Sequence, residues 1–412
     1  MGSLNSFGIE KIRVYPTQTK LDLSLLAKER GYDLNHMKTE LMVYERGVNP
    51  VWEDPVTMAI NAAKPMLTEA DKQSIGLLIV GTETGLDLEK SLSSWVHRFL
   101  KLPNSCRHFE VKAACYSGTA ALKMALSWIN SDFAKPNQKA LVITTDQSLH
   151  FLNKPWEYVG GAGATAILVS QQPDLLVIEP KKYGIYSEEA SDVIRPLPWI
   201  ETGNTEASLF SYMEGLINSY ENYVENIGAI NFEDYFNYNI YHVPFSGISY
   251  RSHKQLMQLE GDYTKEEVSK NFNTKVLPSI RYPQKIGGTY SSSIFIALLS
   301  LVGHAENIKS GDRVGIFSYG SGSCAEFYSG LIGDKAKEIT QKADLDRLLK
   351  TRFSLSVEEY ETFENIRFEM SKNSDFKPDI NLIPGLFESH YQNQGLLIYT
   401  GSKNYYRNYE FS

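Results

Sequence analysis

Val111-Lys-Ala-Ala-Cys-Tyr-Ser-Gly-Thr-Ala-Ala121 is the stretch that decides how this chain folds. Small residues follow Cys115, and Leu122, Ala125, Leu126 and Ile129 then recur at helical spacing. The pattern predicts a turn that opens a helix buried on at least one face. A helix N-terminus carries unpaired N–H donors and partial positive charge. Both favour thiolate over thiol, and thiolate is the nucleophilic form of cysteine. Cys115 placed there is poised to take an acyl group from a thioester. For a cysteine considered alone, a small buried apolar side chain is the plainer explanation. The choice between the two depends on the rest of the chain.

The 412 residues suffice for two ordinary domains or one large duplicated one. A formal net charge of −8 argues against a general nucleic-acid binder and against docking on an anionic membrane. It leaves room for an acidic protein partner seated on a local basic patch. The three cysteines, Cys106, Cys115 and Cys324, are widely spaced and form no Cys-x-x-Cys pair. That pattern argues against a disulfide framework and against a zinc site, and it fits a reducing compartment. No apolar run reaches membrane-spanning length.

Working outward, strands are expected over residues 8–15, 74–81, 140–145, 164–169, 239–243, 313–318 and 396–400. Residues 175–179 are expected to pair with the strand before them. Helices are expected over 21–30, 54–67, 206–224, 248–259, 265–277 and 291–302, with short surface helices at 344–350 and 356–365. Residues 192–205, with Pro196 and Pro198, read as irregular. The glycine run Gly160-Gly-Ala-Gly163 precedes a strand rather than opening a helix, so it fails as a phosphate cradle. Close backbone approach at a turn explains it better. Alternating strands and helices point to a layered α/β architecture. No clear internal repeat is visible in the sequence.

Three polar groups stand at expected strand ends beside glycine or a tight turn: Glu83, Cys115 and His242. Each has a plain explanation, Glu83 as a helix-start carboxylate and His242 as a neutral core imidazole. Together they supply a nucleophile, an imidazole to tune it and a carboxyl group for proton transfer. Tyr319-Gly-Ser-Gly-Ser323 adds backbone N–H groups at a tight turn, able to hold an oxyanion or serving only to turn the chain.

Five blocks carry a resemblance: Gly81-Thr-Glu83-Thr, Ala114-Cys115-Tyr-Ser-Gly-Thr-Ala-Ala121, Gly160-Gly-Ala-Gly163, Tyr241-His242-Val-Pro244 and Val314-Gly-Ile-Phe-Ser-Tyr-Gly-Ser-Gly322. In this order the chain resembles the 3-hydroxy-3-methylglutaryl-CoA synthases of the thiolase superfamily. It is most similar to their polyketide β-branching branch, through residues 109–120, Cys324-Ala-Glu-Phe-Tyr-Ser-Gly330 and Leu355-Ser-Val-Glu-Glu-Tyr360. The resemblance implies a thiolase-like, duplicated αβαβα layered α/β fold, with halves at 1–172 and 173–412. It implies an acyltransferase that condenses acetyl held on Cys115 with the β-carbonyl of a β-ketoacyl thioester. Glu83 would move the protons and His242 would assist the thiol and the second substrate. Backbone N–H groups of Cys115 and Ser321 would hold the oxyanion. No bound cofactor or metal is implied. The substrates would ride on the phosphopantetheine of donor and acceptor acyl carrier proteins, in a cytoplasmic homodimer.

Some positions depart from the family pattern. Gly288 stands where the family has an asparagine, just before Tyr290 in the same substrate-binding block. His150 stands where the family has a tyrosine. The lysine-rich segment that meets coenzyme A reads Phe245-Ser-Gly-Ile-Ser-Tyr-Arg251, leaving Arg251 as the candidate phosphate contact. Loss of basic residues there suits a carrier-protein substrate better than free coenzyme A. The alternatives are the primary-metabolism synthase using acetyl-CoA and acetoacetyl-CoA, a decarboxylating ketosynthase that would not need Glu83, and an inactive scaffold that docks carrier proteins.

Overall fold

The computed structural model describes residues 6–149 and 151–412. Along the chain the strands are β1 (Gly8–Tyr15), β2 (Thr19–Asp22), β3 (Glu45–Val48), β4 (Ile75–Gly81), β5 (Arg107–Val111), β6 (Lys139–Gln147), β7 (Ala162–Ser170) and β8 (Leu176–Ser187). They continue as β9 (Val193–Leu197), β10 (Ile200–Gly203), β11 (Tyr238–Tyr241), β12 (Arg313–Gly320), β13 (Cys324–Ile332), β14 (Phe353–Leu355), β15 (Leu397–Lys403) and β16 (Tyr406–Phe411). Nine of them form one sheet in the order β11-β12-β13-β8-β1-β7-β6-β4-β5.

The sheet has an internal symmetry that the sequence does not show. From its middle, β1 is followed outward by β7, β6 and β4, with two antiparallel pairings and then a parallel one. From the other side, β8 is followed by β13, β12 and β11 with the same directions. The halves join where Gly8 and Ile9 of β1 face Val177 and Leu176 of β8. Each half sends a buried helix back into its own sheet, Ser117–Ile129 into β6 and Ser293–His304 into β12. The first helix buries Ala121, Leu122, Ala125, Leu126 and Ile129, the face expected from their spacing.

The two helices meet at Gly118. A Cβ there would press on the Ser291 carbonyl and stand 2.7 Å from Thr144 Cγ2 and 2.8 Å from Phe295 Cε2. Thr119 donates to Ser318 Oγ at 2.7 Å, tying the same helix to β12. The cysteine turn is thereby clamped between both halves.

Several expectations need correction. Residues 175–179 do not pair with β7, because β1 and β6 occupy both of its edges; β8 pairs instead with β1 and β13. Residues 192–205 are not irregular but carry the two-stranded β9–β10 hairpin. Pro196 is tolerated in β9 because a two-stranded ribbon leaves backbone unpaired on its outer edge. The helix expected at 356–365 runs over Val357–Met370 and is not a surface element: Tyr360, Phe363, Glu364 and Arg367 are buried. Its Arg367 donates to the Asn49 carbonyl at 2.6 Å. Trp52 meets Phe363, Phe387 and Tyr391 edge-on at 5.5–5.8 Å. The chain after residue 353 therefore folds back over the N-terminal segment, with β14 paired to β2. Among the described residues no helix is long and apolar enough to cross a membrane.

Overpacking at a helix crossing of this kind costs about 1–3 kcal/mol. Gly118→Ala is expected to lower stability by about that amount, read as a lower denaturant midpoint with an unchanged slope.

Candidate active site

The cysteine turn is built from unusual backbone. Ala114 adopts φ +46°, and Ser117 locks the turn by accepting from the Ala113 N–H and donating to the Ala114 carbonyl, both at 2.7 Å. Cys115 stands two residues before the helix, as its sequence predicts. Two glycines let its neighbours approach. A Cβ on Gly81 would stand 2.7 Å from the Ser117 carbonyl oxygen, and one on Gly320 would stand 2.5 Å from that of Ala113. The end of β4 and the end of β12 therefore both abut the cysteine turn.

Glu83 follows β4 directly. Its Oε2 accepts from Cys115 Sγ at 3.3 Å. The loop that carries it is organised by Asp146 at the end of β6. That carboxylate accepts from Thr82 Oγ1 at 2.8 Å, the Glu83 N–H at 2.9 Å, and the Thr84 N–H and Oγ1 at 3.2 and 2.9 Å. It also accepts from the Ser291 N–H at 3.2 Å and from the Ser291 hydroxyl. One buried carboxylate thus fixes the Glu83 loop to the segment that carries Tyr290.

His242 follows β11, and its backbone N–H donates to the Phe317 carbonyl at 2.8 Å. The ring is buried between Tyr212 and Tyr319, with centroids at 6.2 and 6.5 Å, and its Nδ1 pairs with Ser293 Oγ at 2.7 Å. Burial pushes the imidazole down to about 3, so it is neutral. A hydroxyl partner can donate or accept. It therefore leaves the ring free to present either a lone pair or an N–H at Nε2.

The other sequence-derived positions divide. Ser321 is half-buried on the turn after Gly320, whose next residue, Gly322, is held by an N–H bond to Asp192 at 3.0 Å. Tyr290 adopts φ +47°, and its hydroxyl is buried without a partner. Gly288 has a packing role. Its N–H donates to the Val159 carbonyl at 2.8 Å, and a Cβ would stand 2.7 Å from that oxygen and 3.0 Å from the Pro244 carbonyl oxygen. An asparagine cannot enter there without moving the backbone beside His242. The glycine run is explained by the same crossing, since a Cβ on Gly161 would stand 2.6 Å from the Ile286 carbonyl oxygen. Arg251 is exposed, 6.0 Å from the Phe245 ring centroid. His150 lies outside the described residues.

The family models for the hydroxymethylglutaryl-coenzyme A synthase N-terminal and C-terminal regions match residues 4–174 and 259–409. The chain belongs to the hydroxymethylglutaryl-CoA synthase family. It is 37% identical over 398 residues to the polyketide biosynthesis 3-hydroxy-3-methylglutaryl-ACP synthase PksG of Bacillus subtilis (strain 168), covering 93% of this chain and 94% of that protein. The hydroxymethylglutaryl-CoA synthase of Enterococcus faecalis is 31% identical over 360 residues, covering 86% and 91%. Among solved structures, the curacin biosynthetic pathway HMG synthase in complex with holo donor-ACP superposes with a TM-score of 0.94 at 35% identity, covering 99% of this chain and 100% of that one. The thiolase-like layered fold expected from the sequence is the fold observed, and the family is one of condensing, acyl-transferring enzymes.

Within this synthase fold two side chains come from a segment that no motif or periodicity singled out. Arg195 of β9 reaches Glu83 Oε1 with Nη2 at 3.5 Å and forms an ion pair with Glu201 of β10. Its guanidinium lies 5.7 Å from the Tyr290 ring centroid. Proline-interrupted, with no apolar alternation, the hairpin left no periodic signal; the Arg-x5-Glu spacing across a two-residue turn was the trace it did leave.

The electrostatics correct one expectation. Burial and the neighbouring Glu83 push the Cys115 thiol well above the ordinary cysteine value, with Asp146 and Glu201 adding to it. A helix end contributes about 0.3–2 kcal/mol toward the thiolate. A carboxylate about 4 Å away opposes it by about 4 kcal/mol at an effective dielectric of about 20. Cys115 therefore rests as a thiol that donates to Glu83. Glu83 itself is pushed up to about 8, chiefly by burial, with Arg195 opposing and Asp146 and Glu201 reinforcing.

Alkylation of Cys115 by iodoacetamide, followed by peptide mass spectrometry, is expected to be slow at neutral pH. Its rate should still be climbing at pH values above the ordinary thiol range, about 8.5. A plateau below that range would show a thiolate that the turn does stabilise.

Proposed function

We propose that this synthase builds β-branches on carrier-protein-bound substrates: it adds an acetyl-derived carbanion to the β-carbonyl of a β-ketoacyl chain tethered to an acyl carrier protein. The observation that carries the chemistry is the 3.3 Å contact between Cys115 Sγ and Glu83 Oε2. The carrier-protein assignment is supported by the likeness to PksG, named as an ACP synthase, and to the curacin pathway synthase solved with acetyl donor-ACP.

In the first step Cys115 sulfur attacks the donor thioester. Glu83 takes the thiol proton and passes it to the departing pantetheine sulfur, ending as a carboxylate. This assigns to Glu83 the thiol proton that the sequence had given to His242, because Glu83 is the group hydrogen-bonded to sulfur. In the second step Glu83 takes a proton from the acetyl methyl. The enolate oxygen is held by the backbone N–H groups of Cys115 and Ser321, which supply stabilisation where charge develops. The carbanion forms a bond to the acceptor β-carbon, whose oxygen accepts from His242 Nε2–H. Glu83 returns the proton to the new alkoxide. Water then cleaves the C–S bond, leaving a carboxylate on the product and the thiol on Cys115. Tyr290 lines the same space, and Arg251 is the candidate contact for a pantetheine phosphate. A cytoplasmic homodimer, joined across a sheet edge, completes the proposal.

The primary-metabolism reaction uses the same steps and differs in the carrier alone. Cys115→Ser should abolish the acetyl adduct seen by intact-protein mass spectrometry. Glu83→Gln should load acetyl much more slowly, because the amide cannot carry the thiol proton, and should form no condensation product even once loaded. Native enzyme should turn over an acetoacetyl carrier protein at least about tenfold faster than acetoacetyl-CoA, measured as kcat/KM. Equal rates would assign it to free coenzyme A esters, and adduct formation by Cys115→Ser would remove Cys115 from the mechanism.

A further inference from the structure

We propose that Arg195 is a positioning residue for Glu83: it holds the carboxylate in place and in its charged form while the acetyl methyl is deprotonated. This rests on the condensation proposed above.

The geometry divides the two oxygens of Glu83. Oε2 faces Cys115 Sγ at 3.3 Å and Oε1 faces Arg195 Nη2 at 3.5 Å. Acetylation of Cys115 replaces the S–H proton by an acyl group, so the first of these bonds disappears when Glu83 must act as a base. Among the described residues Arg195 is then the side chain still bonded to that carboxylate. The Glu83 backbone is fixed through its N–H bond to Asp146 at 2.9 Å, which leaves the side-chain torsions for Arg195 to set.

Arg195 is itself braced. Glu201 on the paired strand holds the same Nη2, and the Tyr290 ring lies 5.7 Å from the guanidinium carbon. The side chain is only 14% exposed. The charged and titratable groups acting on Glu83 are Asp146 from β6, Glu201 and Arg195 from the hairpin, and Cys115 from its turn, with Tyr290 across Arg195. Arg195 is the one cation in that set. Removing it leaves three carboxylates in one buried space, where like charge favours the protonated acid. A protonated Glu83 cannot take the methyl proton. With Arg195 present the step balances simply: the C–H bond breaks, an O–H bond forms on Glu83, and the negative charge passes to the enolate.

The test is deuterium uptake by the acetyl methyl. Native enzyme, Arg195→Met, Arg195→Lys and Glu83→Gln are loaded to completion with excess acetylated donor carrier protein, the acetyl adduct being checked by intact mass, and moved into D2O from about pH 6 to about pH 10. The mass of the acetyl-Cys115 peptide is then followed. Arg195→Met is expected to load acetyl but to exchange at least about tenfold more slowly at neutral pH, with its pH midpoint moved up by about one unit or more. Arg195→Lys should keep the native midpoint and lose only a few-fold in rate, and it decides the matter if Arg195→Met does not fold. Native rate and midpoint in Arg195→Met, with Glu83→Gln inactive, would overturn the role of Arg195 alone. So would equal slowing of both Arg195 variants at an unchanged midpoint, which marks a packing effect. Native exchange by Glu83→Gln would overturn the condensation proposal as well.

Discussion

A single buried carboxylate, that of Asp146, holds the candidate site together. Six donors from the Thr82–Thr84 loop and from Ser291 converge on it. A charge this deep is costly unless fully hydrogen-bonded, and breaking such a network leaves the charge uncompensated. The consequence is rigidity. The Thr82–Thr84 loop after β4 and the Ser291 segment before the buried helix cannot move apart without abandoning that charge. Glu83, whose side chain faces Cys115, is thereby fixed at its backbone.

Close backbone approach supplies the second constraint. Gly81 and Gly320 let two strand ends press on the cysteine turn, and Gly288 lets the Val159 and Pro244 carbonyls close beside His242. Gly81 closes β4 in one half of the sheet and Gly320 closes β12 in the other, so both halves grip the turn that carries Cys115. Around this frame the charges are arranged for proton traffic rather than for a resting thiolate. Cys115 stays protonated, Glu83 is raised toward neutrality, and His242 is neutral with a hydroxyl partner that does not fix its tautomer.

The strand ends that carry Glu83 and His242 were legible because each joins a polar residue to a glycine or tight turn after a buried apolar run; β5, ahead of Cys115, was not, because Arg107–Val111 is exposed or half-buried and has no apolar run. The helix after Cys115 was legible from its spacing. The duplication was expected from the family resemblance alone, because it lies in strand order and direction and leaves no matching residues in the two halves. Asp146 lies just past the strand expected at 140–145 and was not singled out, since nothing local shows that six donors will meet it. Arg195 and Glu201 were hidden by the prolines of their hairpin. The thiolate expectation failed because a local feature, the helix end, was outweighed by carboxylates that only the tertiary fold brings near. The buried helix Val357–Met370 looked like a surface element because its Glu364 and Arg367 are charged, and Asn49, to which Arg367 donates, is remote in sequence.

The central claim is that one small acyl group on Cys115 lies within reach of Glu83. The most direct measurement is a crystal structure of the acetylated enzyme. The acetyl methyl is expected about 3–3.5 Å from a Glu83 carboxylate oxygen, with the thioester oxygen turned toward the backbone N–H groups of Cys115 and Ser321. An acetyl group directed away from Glu83, with the carboxylate well beyond contact of its methyl, would contradict it.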